Sequence, residues 1–104
     1  MKLLKRNILH KEFSIADDEL LIGNVAAIAP HKDYFTWLQT VSLLKGKMKA
    51  KFFIIGDGPI RDEIKNEIIK LNLQDVVIMT GFRNDLEKIL PELDLFLFTS
   101  KEEG

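Results

Sequence analysis

The chain has 104 residues, 46% of them hydrophobic and 30% charged, which is ordinary composition for one globular domain with a core of its own. Fifteen basic against sixteen acidic side chains leave a net charge of -1, which excludes the strongly basic face of a general nucleic-acid binder. The lack of cysteine excludes disulfides and thiolate chemistry, and no apolar run approaches the roughly 20 residues of a membrane span.

Residues from about Leu3 to Phe13 carry Leu4, Ile8 and Leu9 at helical spacing and predict a short lead-in helix, closed by the polar turn Ala16-Asp17-Asp18-Glu19. The start, Met1-Lys2-Leu3-Leu4-Lys5, is basic but has no apolar stretch behind it, so it does not read as a secretion signal. Leu20 to Ala29 is almost continuously apolar, as in a strand covered on both faces, and Pro30 ends it.

From Lys32 to about Lys45, Tyr34, Trp37, Leu38, Val41 and Leu44 fall on one helical face, with Asp33 at the N-terminus and Gly46 as the stop. A second buried strand, Phe52–Ile55, runs through Gly56-Asp57-Gly58-Pro59 into a helix whose inward face is Ile60, Ile64, Ile68 and Leu71. Pro59 suits the first helical position, where a missing N–H costs nothing. Val76–Met79 is the third strand, closed by Thr80-Gly81. A shorter helix follows, with Leu86, Ile89, Leu90 and Leu93, shortened or kinked by Pro91. Leu95–Phe98 is the fourth strand, expected to be buried. Strands alternating with helices need right-handed crossovers, so the expected fold is α/β, a Rossmann-like parallel sheet with helices on both faces, truncated after the fourth strand.

Ligands of such sheets bind beyond the carboxyl ends of the strands. Four segments lie there: Ala29-Pro30-His31-Lys32, Gly56-Asp57-Gly58-Pro59, Thr80-Gly81-Phe82-Arg83 and Thr99-Ser100-Lys101-Glu102-Glu103-Gly104. Helix N-termini beside them are expected to offer unpaired N–H groups to an anion such as phosphate. Gly56-Asp57-Gly58-Pro59 lacks both the third glycine of a dinucleotide fingerprint and the Gly-Lys-Ser/Thr ending of a phosphate loop. It reads equally as a tight turn, with Asp57 capping the helix or fixing the loop. Lys32 reads as an exposed lysine or a phosphate contact. Glu103 reads as a surface acid or an acceptor for sugar hydroxyls. His10 and His31 have no metal-ligand spacing and are expected at the surface or as caps, so neither a metal site nor a cofactor is expected.

Taken in order, Ile22–Asp33, Phe53–Pro59, Thr80–Arg83 and Asp94–Gly104 resemble the opening strand and loop, the Val-Gly-Asp-Gly-Pro turn, the Gly-Phe turn and the Ser-x-x-Glu-Gly segment of the group 1, retaining glycosyltransferases. Those enzymes are built from two facing Rossmann-like domains. The resemblance implies that residues 1–19 are a lead-in helix and turn, and that residues 20–104 are part of the C-terminal nucleotide-sugar-binding domain. It implies a donor, a nucleoside-diphosphate sugar, from which a sugar passes to an acceptor hydroxyl with retention of configuration. Lys32 would neutralise the donor diphosphate, Gly56, Asp57, Gly58, Phe82 and Arg83 would line the nucleotide pocket, and Glu103 would be the catalytic carboxylate that holds the sugar.

An N-terminal acceptor domain and a C-terminal remainder would complete the enzyme, which admits peripheral membrane association, and the 104-residue piece would be inactive alone. A cytoplasmic location is the default. One departure from the family pattern is Ala27, where an arginine often stands five residues before the lysine. The alternatives are a non-catalytic doubly wound interaction domain and an NAD-dependent dehydrogenase.

Overall fold

The computed structural model describes residues 7–99. Residues 1–6 and 100–104, and with them Glu102 and Glu103, lie outside the described residues, as does the side chain of His31. The elements in chain order are α1 (Ile8–Glu12), β1 (Leu20–Val25), α2 (Tyr34–Leu44), β2 (Ala50–Ile55), α3 (Arg61–Lys70), β3 (Val77–Gly81), α4 (Leu86–Ile89) and β4 (Leu95–Phe96). Short 3-10 turns at Pro30–Lys32 and Leu90–Glu92 precede α2 and β4.

The four strands form one parallel sheet in the order β3-β2-β1-β4. The chain therefore moves outward from β1 through β2 to β3, then returns to the far side of β1 for β4. That reversal makes the gap between the carboxyl ends of β1 and β4 the topological switch point, where open α/β sheets hold ligands.

Alternation along β2 explains the layers. Phe52 and Ile54 face one side and join Ile22, Trp37, Leu38, Val41, Ile64 and Ile68, so α2 and α3 cover that face. Phe53 and Ile55 face the other and join Leu9, Leu21, Ile89 and Leu93, so α1 and α4 cover it. Helices thus lie on both faces, as expected. At the centre of the first layer Trp37 sits edge-on to Tyr34 and Phe52, at centroid distances of 5.9 and 6.4 Å.

Several boundaries differ from the sequence reading for physical reasons. β1 ends at Val25 instead of running to Ala29: beyond it Ala26 N donates to Ile55 O at the end of β2, and Ile28 N leaves the strand for Asp57 O in the loop that follows β2. α3 starts at Arg61, so Pro59 belongs to the preceding turn and not to the first helical position. β4 is two residues long and lies at the sheet edge, and Leu95, Phe96 and Phe98 are half or more exposed where burial was expected. His10, expected at the surface or as a cap, is buried with Nε2 3.4 Å from the Glu19 carbonyl oxygen.

Candidate functional site at the carboxyl edge of the sheet

Backbone hydrogen bonds knit the strand outlets into one rim. Gly56 N donates to Gly81 O at 3.0 Å, Ile28 N to Asp57 O at 3.0 Å, and Ile60 N to Ile28 O at 3.2 Å. The glycines make this contact sterically feasible. A Cβ on Gly56 would stand 2.2 Å from Ala26 O, at a φ of +139° that side chains rarely adopt, and one on Gly58 would stand 2.5 Å from Ile28 O. Asp57 fixes the turn by accepting from Gly58 N at Oδ1 (2.8 Å), and it faces Arg61 at Oδ2 (3.4 Å).

The same knitting corrects one expectation. The amides beside the rim are largely spent inside the protein: Gly58 N on Asp57, Ile60 N on Ile28, and Arg61 N on the Gly58 carbonyl. At α2, Thr36 N donates to Asp33 Oδ1 at 3.3 Å, and a carboxylate already occupies that positive helix end. Side-chain charge is therefore the better source of anion affinity. Lys32 carries such a charge and has no ion-pair partner among the described residues.

Lys32 stands at the switch point. Thr99 Oγ1 lies 3.1 Å from the Lys32 carbonyl and 2.9 Å from that of Asp33, and Trp37 Nε1 donates to Leu97 O at 2.8 Å. The segment leaving β4 is thereby tied to the loop leaving β1. Neither tie has a local pattern in the sequence, although Thr99 lay in the terminal segment singled out for its polar side chains.

At the outlets of β1 and β2 a cavity of about 260 Å³ opens on the same carboxyl edge. Gly56, Asp57, Phe82 and Arg83 line it, with an apolar surface from Val25, Ala26, Ala27, Ile55 and Leu86. Four of the residues named from sequence thus converge, while Gly58 and Lys32 lie off this cavity. Phe82 is 80% exposed at its mouth. A larger groove of about 630 Å³ runs between α3 and β3, but of the named residues it touches Gly56 alone. The smaller cavity is where they gather.

Arg83 is not a free cation. Its guanidinium is held by Asp85 and Glu12, and these two carboxylates raise its pKa while Arg83 lowers that of Asp85. Sequence spacing gave no hint of Glu12, which lies 71 positions away.

The family model for group 1 glycosyl transferases matches residues 5–104. The chain belongs to this family. Among curated glycosyltransferases it is 31% identical over 94 residues to the O-antigen biosynthesis glycosyltransferase WclY of Escherichia coli, covering 90% of this chain and 26% of that protein. The crystal structure of the S. aureus TarM G117R mutant, a complex with Fondaparinux, alpha-GlcNAc-glycerol and UDP, superposes with a TM-score of 0.75 at 27% identity, covering 80% of this chain and 17% of that one. WaaG, a glycosyltransferase involved in lipopolysaccharide biosynthesis, shares the fold with a TM-score of 0.80 at 19% identity, over 97% of this chain and 28% of its own. This glycosyltransferase-family chain spans about a quarter of the length of the curated relatives it matches. No helix among its described residues is long and apolar enough to cross a membrane.

Proposed function

We propose that this chain is the donor-binding part of an enzyme that transfers a sugar from a nucleoside diphosphate to an acceptor hydroxyl with retention of configuration. The observation that carries the reading is a mainly apolar cavity lined by the exposed Phe82 ring at the carboxyl edge of the sheet, the same edge that bears the Lys32 loop, whose ammonium has no ion-pair partner among the described residues. A nucleoside diphosphate has matching parts: a flat ring for the cavity and a charged diphosphate for the lysine. The UDP of the TarM complex supports the same class of ligand.

The difficult step in such a transfer is departure of an anion. An ammonium already in place stabilises charge as it develops on the leaving diphosphate, without reorganisation at that moment. The ties from Thr99 and Trp37 hold the Lys32 loop and the β4 outlet in register, which is the positional part of the work. Residues 20–104 form the donor part on this reading, and Glu103 orients the sugar. Acceptor groups come from elsewhere in the complete enzyme, and the 104-residue chain by itself does not turn over.

No observation favours an NAD-dependent dehydrogenase, since the loop after β1 is Ala29-Pro30-His31-Lys32, without glycine. Calorimetric titration of the chain with UDP, GDP, ADP and NAD tests the reading. Binding of a nucleoside diphosphate in preference to NAD is expected. Binding of NAD alone, or of none of them, overturns it.

A further inference from the structure

The Arg83 guanidinium is gripped along two edges. Nε and Nη2 donate to Asp85 Oδ1 and Oδ2 at 3.0 and 2.9 Å, and Nη1 and Nη2 donate to Glu12 Oε2 and Oε1 at 2.8 and 2.9 Å. Paired forks on one planar cation fix its plane as well as its position. The Arg83 side chain is only 14% exposed, so these bonds are better shielded than those of an ordinary surface pair.

The Glu12 end of the grip is itself anchored. At the start of α1, Ile8 N and Leu9 N each donate at 2.9 Å to the buried carboxylate of Glu92. Leu9 is fully buried in the layer that also holds Leu93, the residue after Glu92. Glu12 thus projects from a helix that is fixed at its far end.

What the grip holds is the loop carrying Phe82. That ring is 80% exposed and has too little packing of its own to set the loop, whereas its neighbour Arg83 is tied down. The cluster of Arg83, Glu12 and Asp85 sums to a charge of -1, so it offers a diphosphate no attraction. Its contribution to a ligand is positional.

We infer that Glu12 is a positioning residue for the cavity: through Arg83 it fixes the Gly81-Phe82-Arg83 loop, and so presents the Phe82 ring to the flat part of the ligand. The second half of this statement rests on the donor-site reading above, while the first half does not.

The test uses the whole chain, unchanged and as Glu12→Gln, Glu12→Asp and Lys11→Ala. Glu12→Gln keeps the shape and removes the charge, Glu12→Asp keeps the charge and shortens the reach, and Lys11→Ala is a neighbouring control on α1. Hydrogen exchange without nucleotide is measured over residues 81–86 and over β1 and β2. Both Glu12 variants are expected to speed exchange about tenfold in residues 81–86, to leave β1 and β2 unchanged, and to differ from Lys11→Ala, which changes neither. Titration with UDP, GDP and ADP is expected to show Kd rising about three- to tenfold for the nucleotide the unchanged chain binds.

Unaltered exchange over residues 81–86 in both Glu12 variants, or uniform acceleration across the sheet, overturns the linkage. Local acceleration with an unchanged Kd overturns the role in ligand binding. A parent chain that binds none of the nucleotides sinks the donor-site reading, and the exchange data then still decide whether Glu12 orders the Phe82 loop.

Discussion

The hydroxyl of Thr99 lies 3.1 Å from the carbonyl oxygen of Lys32 and 2.9 Å from that of Asp33, closing the switch point between β1 and β4. One proton is shared between two acceptors, and it links segments 67 and 66 positions apart. The consequence is that the backbone of the Lys32 loop and the chain leaving β4 are held together at the sheet edge. Thr99→Val keeps the shape and deletes the donor. It is expected to cost about 1 kcal/mol in urea unfolding, whereas Thr99→Ser costs less. A loss for Thr99→Ser with none for Thr99→Val would place the stability in the methyl group instead of the hydroxyl.

Lys32 carries the electrostatic part of the proposed site. Having no ion-pair partner among the described residues, it contributes little to the fold. Lys32→Ala is therefore expected to leave the melting temperature within about a degree and to weaken nucleoside-diphosphate binding about tenfold, the loss of one charge-assisted hydrogen bond of roughly 1.5 kcal/mol. On the proposed reading, in which Lys32 meets the diphosphate, binding of the free nucleoside should hardly change. A variant that binds UDP or GDP as well as its parent removes Lys32 from the site.

The two glycines of the Gly-Asp-Gly turn answer to the fold before they answer to any ligand. Gly56→Ala sets a Cβ 2.2 Å from a backbone oxygen at φ +139°, and Gly58→Ala sets one 2.5 Å from Ile28 O. Neither obstacle is a side-chain end that can swing away, so both variants are expected to lose several kcal/mol, enough to unfold a marginal domain. Gly46→Ala is the control: its φ is +85°, but no atom lies within 4 Å, and a cost of about 1 kcal/mol is expected. Circular dichroism melts of the three separate the clash from the dihedral strain. A folded, stable Gly56→Ala chain would mean that the β1 and β2 outlets do not touch as described.

How far the sequence foretold this arrangement depends on the range of the interaction. The apolar runs at Leu20 and Phe52 and the helical spacing of Trp37, Leu38 and Val41 are local patterns, and they identified the elements and the parallel architecture. That Gly56, Asp57, Phe82 and Arg83 share one cavity on the rim was legible because strand-end position alone places them there. Strand order was not legible, since nothing within Leu95–Phe98 says which side of β1 it joins. The uses of Thr99, Glu12 and Glu92 were hidden for the same reason: each pairs with a group more than 60 positions away. The ends of β1 and α3 were misplaced because backbone bonds between loops, which carry no side-chain signature, cut the elements short.

Tyr34 gives a prediction that depends on burial alone. Its ring is fully buried beside Trp37, its hydroxyl has no hydrogen-bond partner among the described residues, and burial pushes its pKa from 10.0 up to about 12. Because the folded value lies above the unfolded one, the protonated phenol is favoured equally in both states below about pH 10. Between there and about 12 the unfolded chain ionises while the folded chain resists, so stability falls as pH rises through that window. A shift of this size corresponds to a loss on the order of 2 kcal/mol across the window. The chain has one tyrosine, so its ultraviolet absorbance titration reports this group without deconvolution. The midpoint is expected near 12 in the folded protein. Tyr34→Phe removes a hydroxyl that is buried without a partner, and it should be neutral or up to about 1 kcal/mol more stable at neutral pH, with a weaker alkaline decline. A midpoint at the ordinary tyrosine value in a chain that circular dichroism shows still folded would mean that the ring is hydrated, and that the α2 face of the sheet is not closed around it.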